Sequence, residues 1–252
     1  MAANILRYIK QRYLSKCLNA RRNNPPETTV AAKKAWRRSN KKDIRKACYK
    51  QQYGLCAYTE LSLDDDELGC HLEHIAPRTT HPALTFIPHN IVLSTLDDIQ
   101  SGALARHEQF GGHHKSENYS ESWFISPFNK RCSEFFSYSL TGKVEASTAL
   151  ETQEQVKALK TIETLNLNAT YLVHRRRMSL QKLIDDIESL GIKSRPLRLE
   201  MPDSKEIISP DNAEIAQLVN AALEPIDRKL PEFYSAKKQL FERYGFNLPQ
   251  PL

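Results

Sequence analysis

The spacing of hydrophobic residues predicts helices in the first part of the chain. Over residues 1–20, hydrophobic side chains recur every three or four positions with Lys and Arg between them, which is the pattern of an amphipathic helix with a basic face. Pro25 and Pro26 should end this helix, because proline lacks an amide donor and disfavours helical geometry in the preceding residue. A second basic helix is predicted over residues 28–53, with Gly54 as its C-terminal cap.

The middle of the chain has the pattern of short strands and loops. Residues 55–95 contain short apolar stretches broken by Pro, Gly, Asp and His, and strands are predicted near 70–75 and 90–93. Residues 96–122 are polar and rich in His and Gly, so they predict a loop with one short helix. A further strand-like segment over 135–144 turns at a Thr-Gly pair.

From residue 150 onward the period is helical again. One predicted helix places Val156, Leu159, Ile162 and Leu165 on one face, and the next places Leu180, Leu183, Ile184, Ile187 and Leu190 on one face. Gly191 should cap the second of these helices, and further helices are predicted near 212–223 and 231–244. Three prolines within residues 193–210 predict a linker between helical hairpins.

These patterns together predict an α+β protein that is mostly helical. We divide it into a basic helical region over 1–53, a central α/β core over 54–146 and a helical region over 147–252. The 252 residues have a mean hydropathy of −0.55 and only 8 glycines, which disfavours an all-β sandwich or barrel. No apolar run is long enough to cross a bilayer, and no secretion signal is evident at Met1.

Cysteine content and charge narrow the class further. Five cysteines without regular spacing argue for reduced thiols and a cytoplasmic location. The net charge is +6, but residues 1–50 carry 15 Lys and Arg against two acids, or +13, which leaves −7 for the rest. Such segregation indicates a polyanionic partner, most simply nucleic acid, although a solvated helical face explains the charge alone equally well.

The residues with the strongest chemical signal begin at the end of the first predicted strand. Glu73 and His74 end that strand, Asn90 opens the second, and His113 and His114 belong to the polar segment behind it. If these converge in a ββα unit, His74 can take a proton from water while Glu73 and a downstream histidine hold a divalent ion. Asn90 would hold the backbone near His74.

Two basic residues complete this predicted site. Arg78 and Lys115 are placed to contact phosphate oxygens. Each residue has a duller explanation by itself, such as a structural histidine, a surface carboxylate or a solvated loop. Their order along the chain is what favours a functional site.

That order resembles the HNH, or ββα-metal, endonucleases. More narrowly, four segments resemble the PtuB-type HNH nucleases of Septu and retron anti-phage systems: residues 56–60 (Cys-Ala-Tyr-Thr-Glu), 70–78 (Cys-His-Leu-Glu-His-Ile-Ala-Pro-Arg), 82–86 (Pro-Ala-Leu-Thr-Phe) and 90–94 (Asn-Ile-Val-Leu-Ser). Weaker similarity extends over about residues 20–180. The resemblance implies a ββα-metal nuclease core flanked by N- and C-terminal helices.

The resemblance also implies roles and partners. His74 would be the general base, Asn90 the orienting residue, and Glu73 a metal ligand for Mg²⁺ or Mn²⁺, with His113 or His114 as a further ligand. The implied partners are nucleic acid, a PtuA-like ATPase of the ABC or SMC type and, in retron versions, a reverse transcriptase with its RNA–DNA product.

This chain departs from the family at its paired cysteines. Cys56 remains, but Thr59, Thr95 and Gly111 stand where its zinc-binding partners are expected. A lone thiolate cannot form the closed tetrahedral site of structural zinc, so we expect no structural zinc there. A rearranged zinc site remains the less favoured alternative; its ligands would be Cys56, Cys70, His71 and His113.

Three functional hypotheses follow. The first is a metal-dependent HNH endonuclease that acts as the effector of an anti-phage complex. The second is an inactive subunit that binds nucleic acid or serves as a scaffold. In the third, residues 1–50 dock onto a protein partner.

Overall fold

The computed structural model describes residues 15–191, 213–246 and 248, and within them the protein is an α+β fold dominated by helices. The α-helices and strands, in chain order, are α1 Lys16–Arg21, α2 Thr29–Arg37, α3 Lys41–Gln51, β1 Cys70–His74, β2 Ile91–Thr95, α4 Asp98–Ala103, α5 Gly111–Lys115, β3 Phe136–Tyr138, β4 Val144–Ala146, α6 Thr152–Thr164, α7 Thr170–Ser189, α8 Ala213–Leu223 and α9 Tyr234–Arg243. The predicted fold class is confirmed.

The sheets are small and antiparallel. Strand β1 pairs with β2, and Glu73 lies opposite Val92 and His74 opposite Ile91. Helix α5 packs against β2, so β1, β2 and α5 form a ββα unit. Strands β3 and β4 make a separate hairpin that packs on α6 and α9.

The basic segment predicted as one helix over residues 28–53 forms two helices, α2 and α3. Ser39 donates its hydroxyl proton to the Trp36 carbonyl, and the Asn40 side chain accepts the amide proton of Asp43. These local bonds end α2 and begin α3, because Ser and Asn side chains compete with helical backbone bonds. Gly54 adopts φ +75, as expected of a C-terminal cap.

The C-terminal helices lie close to their predicted positions. Leu180, Leu183 and Ile187 of α7 are buried, whereas Val156 and Leu159 of α6 are exposed and do not share the buried face that Ile162 and Leu165 form.

Two predicted segments fall outside the description. Most of the helix predicted over 1–20 and the linker at 193–210 lie outside the described residues. No described helix is both long and apolar enough to cross a membrane.

One continuous cluster of buried side chains connects the parts of the chain. It includes Trp36 and Ile44 from the N-terminal helices, Val92 from the central sheet, and Leu180 and Phe241 from the C-terminal helices. The N-terminal helices therefore pack on the same core as the strand pair.

Candidate active site

Asn90 joins the ends of the two central strands. Its Oδ1 accepts the amide proton of Ala76 at 2.7 Å, while its Nδ2 donates to the carbonyls of Ala76 and Leu84, each at 3.1 Å. The side chain is buried and all three bonds go to backbone. Asn90 thus holds the chain that leaves β1 against the loop that precedes β2.

His74, at the end of β1, is held in one orientation. Its Nε2 lies 3.0 Å from the carbonyl oxygen of Thr85, and its ring meets the edge of Trp36 at a centroid distance of 4.4 Å. A carbonyl oxygen only accepts hydrogen bonds, so Nε2 carries the proton and Nδ1 keeps a free lone pair. Burial, with the charge of Arg78, lowers the pKa of His74 to about 4. The imidazole is therefore neutral at physiological pH.

Glu73 is paired with a lysine inside the protein. The Nζ of Lys115 lies 2.9 Å from Glu73 Oε1 and also donates to the carbonyl of Ser116, and the lysine side chain is fully buried. On the other side, His71 Nε2 lies 3.7 Å from Glu73 Oε2. Burial by itself raises the pKa of Glu73, but the His71 contact and the Lys115 charge outweigh it and the pKa is lowered. The carboxyl group is an anion.

The two histidines of α5 do not converge on Glu73. His114 Nδ1 bonds the carbonyl of Thr164 at 2.9 Å, on the side of α6. The His113 ring packs against His71 at a centroid distance of 4.2 Å, and its buried Nε2 lies 3.4 Å from Asp98 Oδ1.

This arrangement bears on metal binding. Within residues 15–191, 213–246 and 248, no group of three or more His, Cys, Asp or Glu side chains is placed to hold a metal ion. Glu73 is paired with Lys115, and His114 bonds the Thr164 carbonyl. As arranged, the predicted ligands Glu73, His113 and His114 do not fit an ion-binding site.

A groove of about 270 Å³ opens beside Glu73 and His74. Its lining combines the catalytic candidates with residues of α2, the loop after β1 and the segment after α5: Thr29, Lys33, Leu72, Glu73, His74, Pro77, Arg78, Thr79, Ser116 and Glu117. Thr29 bonds the Thr79 carbonyl at 2.7 Å, which ties α2 to the rim. Neither Thr29 nor Lys33 stands out in the sequence, where the basic character of the N-terminal region is the available signal.

The two predicted phosphate-binding residues have different surroundings. Arg78 lines the groove, and its guanidinium lies 5.3 Å from the centroid of the Trp36 ring, a cation–π contact. Lys115 lies below the surface on Glu73.

Three of the positions that the resemblance marked for zinc ligands, Cys56, Thr59 and Thr95, lie together. The hydroxyl groups of Thr59 and Thr95 lie 3.2 Å apart, and the Cys56 sulfur accepts the amide proton of Thr95. Ser94 Oγ accepts the Gly112 amide proton and bonds weakly with the Cys56 sulfur. Hydroxyl and thiol hydrogen bonds therefore tie the segment before β1 to β2.

Comparison with known proteins gives one distant relative that bears on this site. No family model matches the chain. The chain is 29% identical over 147 residues to the "Retron Vc95 putative HNH endonuclease" of Vibrio cholerae serotype O1 biovar El Tor. The match covers 57% of this chain and 66% of that protein, so the chain spans just under two thirds of the relative's length.

The ββα unit of this chain is consistent with the fold class that the relative's name indicates. A mixed fold with small antiparallel sheets is consistent with an HNH-type nuclease, and the relative's name places that protein among HNH endonucleases and in a retron.

Proposed function

We propose that this protein is an HNH-type endonuclease that hydrolyses phosphodiester bonds of nucleic acid, with His74 as the general base. The observation that carries the proposal is the His74 imidazole, which is neutral, is fixed through Nε2 by the Thr85 carbonyl, and lies at a groove whose lining includes Lys33 and Arg78. Among the described residues, no hydrogen-bond partner of His74 Nδ1 is found, which leaves that nitrogen available to the attacking water molecule. The retron relative supports the same reaction class.

The reaction follows from these groups. A water molecule gives a proton to His74 Nδ1 while its oxygen attacks phosphorus, and the bond from phosphorus to the leaving sugar oxygen breaks. The leaving oxygen then takes a proton from solvent water. Asn90 acts as a positioning residue, because it fixes the loop whose Thr85 carbonyl orients the base.

The basic residues at and beside the groove suit a polyanionic substrate. Lys33 and Arg78 line the groove together with the carboxylates of Glu73 and Glu117, and α2 adds further exposed basic residues. Cations placed in this way neutralise phosphate oxygens and position the strand without reading its sequence. They support nucleic acid as the partner of the N-terminal basic region.

Mg²⁺ or Mn²⁺ is the cofactor that an HNH assignment implies. Such an ion would supply charge neutralisation on the phosphate and the leaving oxygen. The reaction steps above do not pass through it, because the predicted ligands face other partners. Glu73 remains the ligand that we propose, since its oxygens suit a hard cation.

A nuclease assay tests the proposal directly. Wild type, His74→Ala and His107→Ala are incubated with double-stranded DNA, single-stranded DNA and total RNA in Mg²⁺, Mn²⁺ or EDTA. His107 is an exposed histidine away from the groove, so its variant controls for the loss of an imidazole. We expect His74→Ala to lose at least about 100-fold in rate, the usual effect of removing a general base. Equal cleavage by His74→Ala and wild type would contradict the assignment.

The alternative function is binding without cleavage. One observation favours it: Glu73 already has a buried cationic partner, and the candidate metal ligands do not converge. An inactive subunit would bind nucleic acid with an affinity that falls steeply with salt, and neither wild type nor His74→Ala would cut it in any metal. The same assay therefore separates the two functions.

We also propose that the protein acts in an anti-phage complex with a PtuA-like ATPase, and with a reverse transcriptase and its RNA–DNA product if the system is a retron. The relative's retron name supports the defence context. Because α2 and α3 share the main core, deleting the first 53 residues would also disturb the fold. A cleaner test is copurification after the exposed residues Lys34, Lys42 and Lys46 are changed to Glu. Loss of the ATPase with nucleic-acid binding retained would support protein docking.

A further inference from the structure

The indole ring of Trp36 contacts two of the groups to which the proposed function gives roles. The ring meets the His74 imidazole in a T-shaped arrangement at a centroid distance of 4.4 Å, and the Arg78 guanidinium carbon lies 5.3 Å from its centroid. Trp36 is buried, and Lys33, one turn earlier on α2, lines the groove. One rigid side chain thus contacts both the candidate base and a cation of the groove.

The Thr85 carbonyl by itself does not fix the plane of the His74 imidazole. It holds one atom, Nε2, at 3.0 Å, and this leaves the ring some rotation about its Cβ–Cγ bond, a torsion without sharp staggered wells. Nδ1, which must face the attacking water, moves with that rotation. The Trp36 ring packs against the imidazole at an interplanar angle of 73° and blocks the rotation. The direction of Nδ1 therefore depends on both contacts.

The same indole ring orients Arg78. Among the residues that the structure describes, no hydrogen bond or ion pair holds this guanidinium, and the charge of Glu73 acts on it from beyond ion-pair distance. A cation within about 6 Å of an indole centroid is attracted by the negative face of the ring. The contact with Trp36 orients the guanidinium through its carbon framework and leaves the N–H donors available to phosphate oxygens.

We infer that Trp36 is a positioning residue that sets the separation of the general base and the phosphate-binding cation. The inference rests on the proposed function, in which His74 takes a proton from water and Arg78 contacts the phosphate. In-line attack needs the water and the phosphorus in one fixed geometry, and a displacement of about 1 Å can cost a factor of about 100 in rate. A ring in contact with both groups fixes that geometry, and no bond or proton changes at Trp36 itself.

Because Trp36 belongs to the main core, the test needs a readout that packing alone does not move. Full-length wild type, Trp36→Phe, Trp36→Leu and Trp123→Leu are compared in kcat and KM on the nucleic acid that wild type cleaves. Trp123 is the matched control: it packs on the Phe124 ring and has the Lys160 ammonium 4.7 Å from its centroid, but it does not line the groove.

We expect Trp36→Leu to lower kcat at least about tenfold, because Nδ1 of His74 is no longer aimed at the water. The same variant should raise KM about threefold, because Arg78 loses its cation–π contact. Trp36→Phe should recover most of both losses, since phenylalanine keeps an aromatic face, and Trp123→Leu should behave as wild type does. Unchanged kinetics of Trp36→Leu would overturn the inference. So would an equal loss in Trp36→Phe or in Trp123→Leu.

A fluorescence measurement leaves Trp36 in place and does not depend on cleavage. In Trp123→Phe the indole emission comes from Trp36 alone, because the chain has two tryptophans. Single-stranded DNA, double-stranded DNA and total RNA are added in EDTA, and anisotropy of the labelled nucleic acid reports binding. Bound phosphate should change the Trp36 emission through Arg78, so the change should disappear in Trp123→Phe/Arg78→Met. Binding without a change, or a change that persists without Arg78, would overturn the inference.

The two measurements separate this inference from the proposed function. If wild type cuts nothing in any metal but the Trp36 emission responds through Arg78, the nuclease fails and the positioning of the cation stands. If wild type cuts and Trp36→Leu cuts equally well, the nuclease stands and the positioning role fails. Circular dichroism reports whether Trp36→Leu folds, and if it does not, the emission of Trp36 in the Trp123→Phe protein decides.

Discussion

Replacing Asn90 by Ala should destabilise the protein strongly, because this side chain bonds three backbone groups in the interior. The variant loses bonds of 2.7, 3.1 and 3.1 Å to the Ala76 amide, the Ala76 carbonyl and the Leu84 carbonyl. A typical internal hydrogen bond contributes about 1 kcal/mol net, and an unsatisfied buried donor costs about 1–3 kcal/mol. We therefore expect a loss of about 3 kcal/mol in the free energy of unfolding, a large part of the stability of an ordinary domain.

Urea denaturation followed by circular dichroism measures this loss. Asn118→Ala is the matched control, because Asn118 is exposed and the only hydrogen bond the structure shows for it is through its backbone amide; its variant should lie within about 0.5 kcal/mol of wild type. Asn90→Asp should fare no better than Asn90→Ala, since aspartate keeps the acceptor for the Ala76 amide but cannot donate to the two carbonyls. If Asn90→Ala changes the free energy of unfolding by less than about 1 kcal/mol, Asn90 is not the residue that joins the two strand ends.

Two further predictions concern the packing around the site. Gly112→Ala should destabilise the protein by about 1–3 kcal/mol in the same assay, because the new methyl group would overlap His71. In Gly102→Ala the methyl group meets open space within a helix, so this variant should stabilise the protein by up to about 1 kcal/mol. Equal effects of the two variants would contradict the close approach of α5. Thr59→Val should lower the free energy of unfolding by about 1–2 kcal/mol, because it leaves the buried Thr95 hydroxyl without its partner at 3.2 Å. The double variant Thr59→Val/Thr95→Val should lose less stability than the two single variants lose together. Strict additivity of the two losses would argue against the bond.

The strands could be predicted from the sequence because their signal is local. Alternating and β-branched residues around 70–75 and 90–93 define the pair, and the observed bounds of β1 and β2 differ from those ranges by a residue or two. The break between α2 and α3 was missed, because Ser39 and Asn40 act through side-chain bonds that the hydrophobic pattern does not register. The exposure of Val156 and Leu159 was missed for a similar reason, since periodicity defines a face without saying which neighbour covers it.

The site was predictable in its order but not in its contacts. The sequence predicted that Glu73, His74 and Asn90 would converge around one ion. The structure places Glu73 and His74 on β1 and joins Asn90, just before β2, to the backbone of Ala76, two residues after His74. The sequence did not indicate that the Lys115 side chain would point inward to Glu73. A Gly-Gly-His-His-Lys segment is compatible with a polar loop and with the end of a helix alike. Only the packing of α5 on β1, which depends on the missing side chain at Gly112, decides which of these residues reaches the carboxylate.

Helix α2, in the described part of the N-terminal region, takes part in the candidate site. Trp36 of α2 contacts the His74 ring on one hand and the Arg78 guanidinium on the other, and Lys33 of the same helix lines the groove. Part of the N-terminal basic charge, which a solvated helical face could also explain, therefore lies on α2, the helix that packs on His74. Under the proposed function, nucleic acid drawn to α2 would lie beside His74, so that binding and cleavage would share one surface.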